Sequence, residues 1–124
     1  MLSVPQVEVV GDTEKYVRQD STARLECRVS STVQLPDYIF WYHSGKRLLE
    51  YQNPRMTITV SRADVNKKGQ MSVTSVLVLQ HATLQDAGNY TCLPSNLPNA
   101  TVRLHVLDGT CSSNCFSCLF DKSR

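Results

Sequence analysis

The cysteines are the residues of this 124-residue chain best suited to metal or covalent chemistry. Cys111, Cys115 and Cys118 lie near the C-terminus with the spacing C-x-x-x-C-x-x-C. A structural zinc site needs four ligands, and neither a further cysteine pair nor an H-x-x-x-H pattern follows. We therefore expect no metal and no cofactor. The interpretation is a disordered tail whose thiols are reactive or paired between molecules, with palmitoylation as an alternative only if the tail faces the cytosol.

The histidines and serines show no catalytic spacing. His43, His81 and His105 fall on different predicted elements, and no serine stands in a nucleophile elbow. The net charge of +2 is scattered, and no long basic run carries the interleaved aromatic residues that nucleic-acid binding favours. We expect neither an enzyme nor a nucleic-acid-binding protein.

Two sequons for N-glycosylation remain as candidate modification sites, at Asn89 and at Asn99. Asn99 lies at the tip of a predicted hairpin, where we expect a glycan. Asn89 is predicted to point outward from the middle of a strand, so that a glycan there would cover Tyr42 and Leu93. Two readings of Asn89 stay open: an occupied sequon, or Asn and Thr residues that simply fill exposed strand positions.

The segment 86–92 reads D-x-G-x-Y-x-C and must place these residues on a corner followed by a strand. Period-two alternation puts Tyr90 and Cys92 on one face of that strand. This pattern is typical of the corner in an immunoglobulin sandwich, which also needs a cysteine and a tryptophan upstream, and the chain supplies Cys27 and Trp41. The prediction is an all-β, immunoglobulin-like antiparallel β-sandwich with a bond between Cys27 and Cys92.

Further residues and spacings define the type of sandwich. Arg55 stands where variable-type domains place an arginine that pairs with the corner aspartate, here Asp86, and Gly88 completes the corner motif. The spacing between Cys27 and Cys92 predicts a variable or intermediate type with a C′ strand and a short or absent C″ strand. Alternation predicts strands at 3–10, 14–18 (along the opposite sheet edge), 22–29, 38–43, 47–51, 55–60, 71–79 and 100–107, with one more through Tyr90 and Cys92.

The predicted organisation is one immunoglobulin-like domain over 1–109 and the cysteine-containing tail over 110–124. A persistent disulfide indicates an oxidising, extracellular compartment. The N-terminus lacks a basic start followed by a long apolar run, and no stretch reaches 18 apolar residues. We expect an excised piece of a secreted or surface protein.

Three segments resemble a particular family: YIFWYH at 38–43, DAGNYTCLPSN at 86–96 and LHVL at 104–107. They are similar to the second, membrane-proximal immunoglobulin domain of the insect Dpr (defective proboscis extension response) receptors. The resemblance covers about 7–109 and implies a neuronal surface protein, secured to the membrane by its C-terminal segment, that pairs with related immunoglobulin receptors. In that family the partner contacts lie on the first domain, so no partner-binding residue is carried over. The tail departs from the family pattern.

Three hypotheses of function follow. The first is a non-catalytic, membrane-proximal module that presents a partner-binding domain missing from this chain. The alternative is a self-sufficient binding domain that uses the outer face of its C, F and G strands. The third is a redox or metal protein built on the tail cysteines. The residues of the possible binding face are Phe40, Tyr42, Leu93, Arg103 and His105.

Overall fold

The computed structural model describes residues 5–64 and 69–108, which form two facing β-sheets. One sheet has the strand order β1-β3-β7-β6, and the other has the order β2-β9-β8-β4-β5. Every pairing is antiparallel except that of β2 with β9. The predicted all-β immunoglobulin-like sandwich is thus confirmed. The strands are β1 (Gln6–Val9), β2 (Glu14–Arg18), β3 (Ala23–Ser31), β4 (Ile39–His43), β5 (Lys46–Arg47), β6 (Met56–Asp64), β7 (Met71–Leu79), β8 (Gly88–Pro94) and β9 (Ala100–Leu107).

The N-terminal segment belongs to both sheets. β1 pairs antiparallel with β3, and after a break at Gly11 and Asp12 the chain crosses over so that β2 pairs parallel with β9. Gly11 has a φ of +88°, a left-handed conformation that glycine adopts without steric cost. The predicted strand at 14–18 on the opposite sheet edge is confirmed.

The core lies between the sheets and is built from alternate residues of the long strands, as the period of two predicts. Trp41 is buried at its centre, and its indole Nε1–H donates a hydrogen bond of 2.9 Å to the hydroxyl of Ser75 on the facing sheet. The Cys27–Cys92 disulfide joins β3 to β8 beside them, with Cα atoms 6.4 Å apart, and confirms the predicted pair. The other buried apolar residues include Ala23, Leu25, Val29, Val73, Leu77, Leu79, Val102, Leu104 and Val106.

The predicted C′ strand at 47–51 is wrong in length. β5 contains only Lys46 and Arg47, and a 3₁₀ turn follows at Glu50–Gln52. The Leu48 N–H still donates to the Trp41 carbonyl at 2.8 Å, but turn bonds then replace the ladder, since the Gln52 N–H donates to the Leu49 carbonyl. β5 is thus a short edge strand of the five-stranded sheet, paired only with Tyr42 and His43 of β4 among the described residues.

Two strands are longer than predicted. β6 reaches Asp64 instead of residue 60, and β3 reaches Ser31 instead of residue 29. Both extensions pair with β7 in unbroken register, Asp64 with Met71 and Ser31 also with Met71. The polar residues at these strand ends look like loop in the sequence, but cross-strand hydrogen bonds to β7 keep them extended.

Some predictions fall outside the described residues. These are the domain boundary at 109 and the tail 110–124 with Cys111, Cys115 and Cys118. Among the residues that are described, no helix is long and apolar enough to cross a bilayer.

The disulfide generates the first testable prediction. Closing a 65-residue separation should stabilise the fold by about 4 kcal/mol in the chain-entropy model. Reduction of the Cys27–Cys92 bond should therefore lower the melting temperature by roughly 15 °C or more in calorimetry.

The matched control replaces the three tail cysteines with serine, which should leave the melting temperature unchanged. Peptide mapping of natively folded protein provides the decisive check. A bond between a tail cysteine and either Cys27 or Cys92 would contradict the prediction.

Candidate functional site

The corner before β8 fixes one end of the sandwich through the carboxylate of Asp86. Arg55, immediately before β6, approaches it with both terminal guanidinium nitrogens, Nη1 to Oδ2 at 3.1 Å and Nη2 to Oδ1 at 3.3 Å. Nη1 also donates to the carbonyls of Gln80 and His81. Thr83 donates its backbone N–H to Asp86 Oδ2 at 2.8 Å. The structure thus brings together the two residues that the motif pairs, Arg55 immediately before β6 and Asp86 in the 3₁₀ turn Leu84–Asp86 before β8.

The tyrosine of the motif is buried next to this pair. The Tyr90 hydroxyl donates to the Asp86 carbonyl, and the Tyr90 ring stacks on His43 with centroids 4.3 Å apart. His43 Nε2 lies 2.9 Å from the Ala87 carbonyl. Gly88 has a φ of +131°, and a Cβ there would lie 3.1 Å from His43 Nε2. The motif therefore requires glycine both for its backbone angle and for this close approach.

The electrostatics of the corner follow from these contacts. Burial acts to raise the pKa of Asp86, but hydrogen bonds from Arg55 and Thr83 outweigh it, so the pKa lies below its ordinary value. The hydrogen bond with Asp86 raises the pKa of Arg55. Burial and the Asp86 charge raise the pKa of Tyr90, which stays a neutral donor. The ion pair of Arg55 with Asp86 therefore ties the segment before β6 to the corner before β8.

The outer face of the five-stranded sheet carries all the residues predicted as a binding face. The structure divides them into two groups. Phe40 lies opposite Leu93 in the β4–β8 register, with Tyr42 on the same face of β4. Arg103 and His105 lie on β9, which is separated from β4 by β8.

An aromatic and cationic cluster forms the first group. Tyr38 stacks on Phe40 with centroids 4.2 Å apart, and the Arg47 guanidinium carbon lies 3.5 Å from the Phe40 ring centre. This cation–π contact covers the ring that the sequence predicts to be open. Sequence reasoning missed Tyr38 and Arg47, although the alternation of Tyr38 with Phe40 gave a signal for the former.

His105 belongs to a second cluster with β2. Its ring stacks on Tyr16 with centroids 4.4 Å apart, and its Nε2 lies 2.7 Å from Glu14 Oε1. Both neighbours were missed, because their contact with His105 depends on the parallel pairing of strands about 90 residues apart, as in the register of Tyr16 with His105.

The two sequons differ in position. Asn89 is exposed near the start of β8, the middle strand of the five-stranded sheet, opposite Arg103 in the β8–β9 register. Its sequon hydroxyl, Thr91 Oγ1, lies 3.2 Å from Thr101 Oγ1, so this pair separates the two clusters. Asn99 is exposed in the loop before β9.

The remaining candidate residues do not converge. His81 is exposed on the corner, apart from His43 and His105. Within 5–64 and 69–108, no three His, Cys, Asp or Glu side chains stand close enough together to hold a metal ion.

A family model described as an immunoglobulin domain matches residues 5–96. This match covers most of the chain. The chain belongs to the immunoglobulin domain family.

Solved structures with the same fold include other immunoglobulin domains. The first and second domains of Dpr2 in complex with DIP-Theta are 23% identical, with a TM-score of 0.69, over 84% of this chain and 50% of that chain. The first domain of Dpr1 bound to that of DIP-eta is 16% identical, with a TM-score of 0.61, over 84% and 96%. The first domain of ZIG-8, a homodimer, is 25% identical, with a TM-score of 0.56, over 80% and 82%.

These likenesses include Dpr proteins, the family that the sequence segments resemble, and at 16% and 23% identity they show the fold. This immunoglobulin domain spans about half the length of the matched Dpr2 chain.

The ion pair of Arg55 with Asp86 generates a prediction of pH dependence. The folded state binds protons at Asp86 less readily than the unfolded state, so the pair stabilises the domain above about pH 4 and its contribution is lost as the pH falls through the lowered pKa. Asp86→Asn should lower the free energy of unfolding at pH 7 by about 1–2 kcal/mol, a modest value because Arg55 is partly exposed.

Urea denaturation from pH 7 down to pH 2 measures this effect. The difference between wild type and Asp86→Asn should shrink below about pH 4. Asp12→Asn, which removes an exposed carboxylate, serves as the control. A gap between wild type and Asp86→Asn that stays constant over the whole range would refute the prediction.

Proposed function

We propose that this chain is a non-catalytic, extracellular immunoglobulin module of a neuronal cell-surface recognition receptor. Within that receptor it acts as the membrane-proximal unit, and a partner-binding domain outside this chain makes the contacts to other immunoglobulin receptors. Family membership supports the class of module, and the resemblance to Dpr second domains supports the position. The disulfide supports an extracellular location.

The observation that carries this proposal is that side chains on the outer face contact one another. Its charged and aromatic side chains are engaged with one another: Arg47 lies over Phe40, and His105 contacts Tyr16 and Glu14. These contacts take up part of the aromatic and charged surface that a partner would use. Between the two clusters lies Asn89, whose glycan would add a hydrated cover to the same face.

A second candidate function is direct binding through this face. The exposed aromatic rings favour it, since Tyr16 is 55% exposed and Tyr38 is 49% exposed, and tyrosine is enriched at protein interfaces. The 25% identity to the first domain of ZIG-8, which crystallised as a homodimer, points the same way. In this case the domain would bind related immunoglobulin receptors by itself.

Glycosylation gives one test. Asn99 is exposed in a loop, where a glycan displaces no protein contact, so we expect Asn99→Gln to remove one glycan mass from protein secreted by insect cells. Intact-mass spectrometry of this variant and of Asn89→Gln measures both sites. An unchanged mass for Asn99→Gln would contradict the expectation.

Binding separates the two candidate functions. The isolated chain should show no micromolar binding to related immunoglobulin receptors, because the partner-binding domain is missing. Surface plasmon resonance tests this with two samples. The first is the wild-type chain as insect cells secrete it, and the second is the Asn89→Gln variant, whose outer face cannot carry a glycan at residue 89.

Two substitutions interpret a positive result. Tyr42→Ala removes a ring from the outer face, and Arg24→Ala removes an exposed arginine from the opposite sheet. Micromolar binding that Tyr42→Ala abolishes and Arg24→Ala leaves intact would overturn the membrane-proximal proposal in favour of direct binding.

A further inference from the structure

The residues of the Asn89 sequon lie in β8, the middle strand of the five-stranded sheet. β8 is hydrogen-bonded to β4 on one side and to β9 on the other, and the Asn89 carbonyl also accepts the Ser44 N–H at 2.9 Å. The side chain of Tyr90, between the two sequon positions, is buried in the core. Thr91 Oγ1 lies 3.2 Å from Thr101 Oγ1. An enzyme that binds this sequon would therefore have to pull β8 out of the sheet.

The folded strand nevertheless has room for a glycan. The Asn89 side chain is exposed on the outer face, so a glycan that is attached before folding can stay in place afterwards. Asn99 differs from it, because Asn99 is exposed in the loop that precedes the first residue of β9. Formation of the sheet therefore closes the sequon at Asn89 to the enzyme, while the acceptor at Asn99 stays outside the strands.

Cys92 limits the time during which Asn89 is accessible. It comes three residues after Asn89, and in the folded domain it is fully buried and bonded to Cys27. At a synthesis rate of about 5–20 residues per second, Cys92 emerges within about a second of Asn89, when Cys27 is already available. Formation of the bond then ties β8 to the opposite sheet close to the acceptor nitrogen.

We propose that Asn89 is a glycosylation site whose occupancy is set by competition with closure of the Cys27–Cys92 disulfide. Glycan transfer joins the Asn89 amide nitrogen to the anomeric carbon of a lipid-diphosphate-linked oligosaccharide. The bond from that carbon to the diphosphate oxygen breaks, the lipid diphosphate leaves with the electron pair, and the amide loses a proton. The inference rests on the extracellular location in the proposed function, since glycan transfer and disulfide formation both take place on secreted chains.

The competing reaction is an oxidation of the two core cysteines. The thiols of Cys27 and Cys92 lose two protons and pass two electrons to a disulfide oxidant of the secretory compartment, which is reduced to a dithiol. The competition is one-sided. A glycan on the exposed side of β8 leaves the inward Cys92 free to form its bond, whereas the closed bond keeps the sequon in the sheet.

The outcome decides which outer face the domain displays. Tyr42 lies opposite Thr91 in the β4–β8 register and is therefore a diagonal neighbour of Asn89. Chains that are glycosylated at Asn89 carry a hydrated cover beside and over Tyr42, whereas chains whose disulfide closes first leave this ring open. The ratio of the two forms depends on the redox conditions under which the chains fold.

Synthesis of the full chain in a cell-free system with microsomes tests the competition. A cleavable leader directs the chain into the microsomes. The tail cysteines Cys111, Cys115 and Cys118 are replaced by serine, so that only Cys27 and Cys92 can form a bond. Each reaction is run once with oxidised glutathione and once with dithiothreitol, which keeps the thiols reduced.

Two variants assign each glycan to its sequon. Asn99→Gln leaves Asn89 as the acceptor, and Asn89→Gln leaves Asn99 as the matched control. Attachment of a glycan is measured as a shift in gel mobility that a glycosidase reverses. The readout does not require the chain to fold, so a variant without the disulfide is equally informative.

Occupancy of Asn89 should be at least about twofold higher with dithiothreitol than with oxidised glutathione, because β8 stays accessible for longer when the bond cannot close. Cys27→Ser removes the partner of Cys92 and should give the high occupancy under both conditions. Occupancy of Asn99 should be equal under both conditions, since this acceptor lies outside the strands.

Three results would overturn the proposal. Equal occupancy of Asn89 under both conditions would show that the disulfide does not compete. An equal rise at Asn89 and Asn99 would assign the effect to the enzyme or its donor. An unmodified Asn89 in Cys27→Ser would show that this sequon is not a site. None of these measurements involves partner binding, so the inference can fail while the proposed membrane-proximal role, which surface plasmon resonance decides, stands.

Discussion

The contact between the two sheets at Trp41 is the constraint on which the rest of the structure depends. The indole packs beside the Cys27–Cys92 bond and donates its N–H to Ser75, so an apolar, a covalent and a polar contact meet at one buried place. A buried indole N–H without an acceptor would be costly, and Ser75 supplies that acceptor from the opposite sheet. The strand registers on both sides are therefore fixed relative to each other, because a slip by one residue would turn these side chains outward.

The sequence predicts those parts of the fold in which one strand face is buried. Alternation identified the inner faces of β3, β7 and β9, and the corner motif anticipated the pairing of Arg55 with Asp86. It failed at the C′ strand, where Leu48 and Leu49 look like a strand. There the local bonds of a 3₁₀ turn compete with the ladder, and no periodicity reveals which of the two is more stable.

The outer face was predicted residue by residue but not in its contacts. Alternation placed Phe40 and His105 outward, whereas their coverage depends on strands that pair over long sequence distances. Arg47 reaches Phe40 from β5, and Tyr16 reaches His105 from β2. The contacts of Arg47 with Phe40 and of Tyr16 with His105 occupy part of this aromatic surface. They favour the proposal that partner binding takes place on another domain.

The parallel pairing of β2 with β9 has a mechanical consequence. β2 lies near the N-terminal end of the described chain and β9 at its C-terminal end, and both run in the same direction. Tension applied through the two ends pulls β2 towards its start and β9 towards its finish, so the strands are forced to slide past each other. The hydrogen bonds that β2 makes with β9 along Glu14–Arg18 then bear the load together. In an antiparallel hairpin pulled from its ends, the bonds would instead open one at a time. Resistance to force is set by the unfolding rate, and this geometry slows unfolding when the described chain is pulled through its two ends.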